Sequence, residues 1–178
     1  MYILVMYETV EGHTKKLAET IAKWLEEVGL KVMLTSASQI GFCDPGEFDG
    51  AILCAPIHMA QYPQAFVDYI NDWRDGLEAI PTALVTVSLG IASQFPDERA
   101  EVELFPRQLQ DDTGWKANIE HNAAGALKFR EYDFFKRWIM RRISEKEGGP
   151  VDTSKDHELT DWSALKEFTL KFAKTVQD

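Results

Sequence analysis

The chain has 178 residues, 45% hydrophobic and 27% charged, which suits one globular domain spanning residues 1–178 and excludes a disordered one. Its formal net charge of −10, from 19 basic and 29 acidic residues, argues against a general nucleic-acid binder, whose affinity rests on basic groups neutralising phosphates. Cys43 and Cys54 lie outside any C-x-x-C motif and no metal-ligand cluster accompanies them, so both read as reduced thiols of a cytoplasmic protein without a metal site. No leader-like N-terminus and no apolar run long enough to span a bilayer is visible.

Tyr2-Ile3-Leu4-Val5-Met6 is a continuous apolar run, as in a strand buried on both faces of a parallel sheet. Leu17, Ala18, Ile21, Leu25 and Val28 then recur at helical spacing, and Gly29 stops that helix. Lys31 to Thr35 and Gly50 to Ala55 read as the second and third strands. Phe66, Tyr69, Ile70, Trp73 and Leu77 mark another helix, and Thr82 to Ser88 a fourth strand after Pro81. Residues 93–112 are polar and weakly helical, Ile119 to Leu127 reads as a fifth strand, and helices are expected over about 130–145 and 161–176. Thr160 or Asp161 is the expected N-cap of the last helix. Strands alternating with helices through short connections predict an α/β fold with a doubly wound parallel sheet and helices on both faces. Ligands of such sheets sit beyond the carboxyl ends of the strands, here residues 8–14, 55–62 and 88–98.

The first of these segments, Thr9-Val10-Glu11-Gly12-His13-Thr14, is a T-x-x-G-x-T pattern entering a helix. Gly12 lets the backbone approach a ligand, the free N–H groups of the first helical turn favour an anion, and the two threonines add hydroxyls. It is neither a Walker A loop nor a G-x-G-x-x-G fingerprint. It resembles the phosphate loop of the flavodoxins, which use backbone N–H groups and hydroxyls rather than Lys or Arg. That resemblance implies a five-stranded sheet of order 2-1-3-4-5 and FMN as cofactor. The FMN reading then requires Glu8 and Glu11 to point outward, which the sequence leaves open, with Lys15 and Lys16 offsetting them in part.

The second segment runs Pro56-Ile57-His58-Met59-Ala60-Gln61-Tyr62-Pro63. In flavodoxin-like proteins it lies along the flavin ring, which makes Ile57, Met59 and Tyr62 candidates to cover a ring face. His58 is either a group near the ring's N1/O2 edge or a surface histidine. In the third segment Ser88, Leu89 and Gly90 are small or backbone-rich enough to meet the pyrimidine end, and Phe95 is a ring cover or a core residue.

Residues 128–146, KFREYDFFKRWIMRRISEK, hold seven basic against three acidic residues, with aromatics interleaved. This is either a basic amphipathic helix for a membrane surface or anionic amphiphile, with Arg137, Trp138, Arg141 and Arg142 as its contacts, or a core helix with a solvated basic face. Tyr132-Asp133, Gly148-Gly149, Asp152-Thr153 and Thr160-Asp161-Trp162, with Ala124-Gly125-Ala126-Leu127 before them, resemble the C-terminal portion of the bacterial flavodoxin-like protoporphyrinogen oxidases. The resemblance covers nearly the whole chain, with residues 128–160 as a helical insertion in the domain. It implies an FMN-dependent oxidoreductase of heme biosynthesis, with a porphyrinogen as donor, a quinone as acceptor and peripheral contact with the inner face of the membrane. The flavin supplies the redox chemistry, so no catalytic side chain is expected. A flavodoxin-type electron carrier, an FMN-dependent quinone reductase and a cofactor-free regulatory domain are the alternatives, and the oligomeric state stays open.

Overall fold

The computed structural model describes residues 1–92, 96–127 and 157–177. Strands β1 (Tyr2–Tyr7), β2 (Lys31–Ser36), β3 (Gly50–Pro56), β4 (Thr82–Val87) and β5 (Ile119–Ala123) form one parallel sheet in the order β2-β1-β3-β4-β5. β1, β3 and β4 are the apolar runs, and their side chains are buried on both sheet faces from Ile3, Gly50 and Thr82 onward. β2 is an edge strand with an alternating, partly exposed pattern.

Two helices cover one face. α1 (His13–Glu27) and the C-terminal α4 (Trp162–Gln177) press Leu17, Ile21, Leu25, Leu165 and Phe172 onto Ile3, Val5, Ile52, Cys54 and Val85. The other face carries α2 (Gln64–Glu78) and α3 (Pro96–Thr113), with Phe66, Ile70, Leu77 and Leu109 against Leu4, Met6, Leu53 and Leu84. Gly29, at φ 87, ends α1 as its position predicts, because a left-handed residue costs glycine no clash. Asp161 rather than Thr160 caps α4, its Oδ1 accepting the Ala164 N–H at 2.9 Å.

The stretch expected to be weakly helical is a full helix, α3, whose Val102, Phe105 and Leu109 are buried at a three-to-four spacing despite an internal Pro106. Two expectations need correction. The fifth strand ends at Ala123, not Leu127, because β4 ends at Val87 and offers no further partner. The chain turns at Ala124-Gly125, and β6 (Ala126–Leu127) pairs antiparallel with β7 (His157–Glu158) in a separate ribbon. Residues 157–158 are thus strand, so the helical reading of 128–160 fails at its C-terminal end. The helix expected at 130–145, with Arg137, Trp138, Arg141 and Arg142, and Phe95 lie outside the described residues. Among the described residues no helix is long and apolar enough to cross a membrane.

Candidate functional site

β1, β3 and β4 are neighbours in the sheet, so the three predicted segments leave it side by side along one edge. Each stem is tied to the next strand by a backbone bond. Glu8 N–H donates to Cys54 O (2.9 Å), Ile57 N–H to Val87 O (2.8 Å) and Ser88 N–H to Ala123 O (3.0 Å).

The first loop is folded by its own hydroxyl. Thr9 Oγ1 accepts the Gly12 N–H at 2.9 Å, closing the turn over Val10 and Glu11. Gly12 stands at φ 88, a left-handed conformation that carries the chain into α1. Among the described residues no side chain caps α1. Its first backbone bond to the loop is Lys16 N–H to Gly12 O, at 3.3 Å, which leaves the amides of His13, Thr14 and Lys15 as the end donors of the helix. Thr14 is buried at this end, and Val10 is 53% exposed at the loop's tip.

The acids and lysines of this stretch are placed differently from expectation. Glu8 does not stand free in solvent. Its Oε2 accepts the Ser38 N–H (3.0 Å) and Ser38 hydroxyl (2.5 Å), and its Oε1 accepts the Thr9 N–H (3.1 Å). The carboxylate is thereby held on the β2 side, at the loop's stem, and takes only the loop's first amide. Glu11 is half-buried. Lys15 pairs with Glu19 (3.8 Å) and Lys16 with Glu158 (2.6 Å), so neither is paired with Glu8. What the first turn of α1 presents is a set of neutral donors in the field of a helix N-terminus, which suits a phosphate without a basic side chain.

The second loop is a two-residue hairpin. His58 N–H donates to Gln61 O (2.9 Å) and Gln61 N–H to His58 O (3.1 Å). Its central residues Met59 and Ala60 have φ of 50 and 60, the doubly left-handed turn usually built from Asn-Gly. Met59 is 85% exposed, whereas Pro56, Ile57 and His58 are half-buried. Tyr62 turns inward, its ring stacked on Phe66 (centroids 5.6 Å apart) and its hydroxyl 2.8 Å from Thr86 Oγ1. Burial pushes its phenol up, partly countered by the Thr86 bond. On the same sheet face Asn122 stands opposite Thr86, its Oδ1 buried without a hydrogen-bond partner.

In the third loop Gly90 N–H donates to Ser88 Oγ (3.2 Å), and Leu89–Ala92 forms a short tight helical turn of half-buried residues. The structure thus brings Thr9 to Thr14, Pro56 to Tyr62 and Ser88 to Gly90 to one edge. Burial pushes both thiols up, Cys54 in β3 and Cys43, where Glu47 and Asp44 add to the rise.

Sequence reasoning missed three contributors. Ser38 anchors Glu8, and nothing in its local pattern signals that. Glu158 and Thr160 reach the start of α1 from the far end of the chain. Thr160 belongs to the Thr-Asp-Trp motif, which carried a family resemblance but no role at the loop.

Comparison with known proteins agrees with this geometry. Residues 4–154 match the family model described as "Flavodoxin domain". The chain is 28% identical over 171 residues to a Leishmania major protein named protoporphyrinogen IX dehydrogenase [quinone], covering 96% of this chain and 74% of that protein. It is 25% identical over 174 residues to the Escherichia coli (strain K12) protein of the same name, covering 97% of this chain and 95% of that protein. Among solved structures, an archaeal flavodoxin superposes with a TM-score of 0.57 at 13% identity, covering 100% of both chains. Flavodoxin 1 from Bacillus cereus does so with a TM-score of 0.57 at 15% identity, covering 98% of both. At those identities the solved structures speak for the fold.

Proposed function

Because the chain belongs to the flavodoxin-domain family, we propose that it binds FMN at the edge built from the three loops and oxidises protoporphyrinogen IX with a quinone as electron acceptor. The observation that carries the FMN reading is the first turn of α1, entered through a left-handed Gly12 with no side-chain cap among the described residues. Such a turn accepts a phosphate through the His13, Thr14 and Lys15 amides, with the Thr9 and Thr14 hydroxyls beside them. When bound, FMN supplies the redox chemistry.

The chain's own groups position and shield. Ile57, His58 and Met59 flank the ring edge in this reading, and Met59 offers the exposed apolar side chain that can lie over it. Tyr62 supports the hairpin from below through Phe66 and Thr86. Ser88, Leu89 and Gly90 face the pyrimidine end, with Gly90 N–H oriented by the Ser88 hydroxyl. The porphyrinogen and quinone follow from the two relatives named for that reaction, matched over nearly the whole chain. Contact of Arg137, Trp138, Arg141 and Arg142 with substrate or membrane belongs to the same proposal.

The test is anaerobic turnover of protoporphyrinogen IX by FMN-loaded protein with and without a water-soluble quinone. Porphyrin fluorescence should rise only in the presence of both FMN and quinone. A folded, FMN-loaded sample inert with every quinone offered would refute the substrate assignment. A second reading, an electron carrier between proteins, is favoured by the acidic surface around Asp97, Glu101, Glu103, Asp111 and Asp112 of α3. Reduction of a basic haem protein without porphyrinogen turnover would select it.

A further inference from the structure

The first turn of α1 is also gripped from outside. The Thr160 hydroxyl has one proton and donates it to Ala124 O at 2.8 Å. The 2.9 Å contact between Thr160 Oγ1 and His13 Nε2 must therefore have the imidazole as donor, which assigns the proton to Nε2. One turn further along the same helix face, Lys16 Nζ meets Glu158 Oε2 at 2.6 Å and lies 5.4 Å from the Trp162 ring centroid. Glu158 closes β7 and Thr160 follows two residues later; both reach the same end of α1. Two rungs thus join α1 to the end of β7 and to Thr160 just beyond it, and the Ala124 carbonyl fastens Thr160 to the turn after β5.

We propose that the His13–Thr160 bond is a clasp that holds the phosphate-facing amides of α1 in position, and that through it the chain selects phosphorylated over unphosphorylated flavin. The inference rests on the FMN reading above. His13 is the first residue of α1, and its own amide and those of Thr14 and Lys15 are the donors concerned. Bonds to a dianion are short and directional, so small displacements of these amides weaken them. Lys16 is engaged by Glu158, so the preference for a phosphate rests on amide geometry rather than on a lysine charge. Burial of His13 keeps its ring below the usual histidine range, with Glu158 pulling the other way and Lys16 adding to the lowering. At neutral pH the ring is then a neutral donor through Nε2. The clasp makes His13 a positioning residue in addition to whatever its backbone gives the phosphate.

The experiment measures dissociation constants for FMN and riboflavin, by quenching of flavin fluorescence, in the parent chain and in His13→Leu, His13→Gln and Thr160→Val. Thermal melts of each ligand-free chain run alongside. His13→Leu and Thr160→Val should each weaken FMN about tenfold, the size of one lost hydrogen bond, and riboflavin less than about twofold. His13→Gln, which can still donate to Thr160, should recover most of the loss. Should His13→Leu not fold, Thr160→Val reads the same bond from its other end. Equal weakening of both ligands, or FMN affinity within about twofold of the parent in either variant, overturns the clasp. A parent that binds riboflavin as tightly as FMN overturns the phosphate selection while leaving a flavin site. A parent that binds neither flavin overturns the FMN reading, and the clasp with it.

Discussion

The two ends of the candidate site are built in opposite ways. At the α1 end the loop closes on itself through Thr9 and Gly12, and distant segments add ties: Ser38 holds Glu8, and Thr160 holds His13. At the hairpin end, the tip from His58 to Gln61 is held by its own two backbone bonds, with Met59 and Ala60 in a conformation unfavourable to side chains. The first arrangement suits a group of fixed shape and charge. The second suits a surface that must adjust to a ring and to whatever approaches it. The contrast also shows where glycine is required: the tight end has one at its left-handed position, and the loose end has none.

The largest break in this contrast should come from Gly12→Ala. A Cβ there meets nothing within 4 Å, so the cost is conformational alone. Left-handed strain of about 1–2 kcal/mol predicts FMN affinity reduced about five- to thirtyfold, read by flavin fluorescence titration. Ser38→Ala removes one of the three donors to Glu8 and should lower unfolding free energy by about 1 kcal/mol, measured in urea. The hairpin should answer with the opposite sign. Ala60→Gly relieves strain and should raise the melting temperature by about 2–4 °C, without weakening FMN more than about twofold. An unchanged or lower melting temperature would show that the hairpin stores no strain.

Titration sharpens the comparison with the smallest effect. His13 and His121 are both lowered from 6.5, chiefly by burial, with Asp161 opposing the shift at His121. The unfolded chain therefore takes up protons first as pH falls. Stability is fully present above pH 6.5 and declines as pH falls below it toward the folded-state values. His13→Gln should flatten that decline, seen in urea melts between about pH 7 and pH 5.

The sheet, and the edge from which the three loops leave it, were legible because both rest on local patterns. Buried runs at Tyr2–Met6 and Gly50–Ala55 admit no amphipathic alternative, and Gly12 and Gly29 punctuate where left-handed backbone is needed. α3 was faint because Pro106 and six acids dilute a stripe that Val102, Phe105 and Leu109 nonetheless complete. The end of β5 was illegible for a different reason. Ala123 to Leu127 is uniformly apolar, and what ends the strand is the departure of β4, a fact of pairing rather than of sequence. The ties from Ser38 and Thr160 were beyond reach on the same ground, since they join residues 30 and 147 positions apart.

The β6–β7 ribbon has a consequence for how the chain could be rebuilt. Leu127 and His157 stand opposite each other in an antiparallel pair, their Cα atoms about 5 Å apart. Residues 128–156 thus connect two strand ends that stand one residue pair apart. An Asn-Gly splice joining those ends should leave a shortened chain that keeps the five-stranded sheet, the threonine grip on α1 and the ability to bind FMN. Porphyrinogen turnover by such a trimmed chain would show whether the excised stretch serves the substrate or the scaffold.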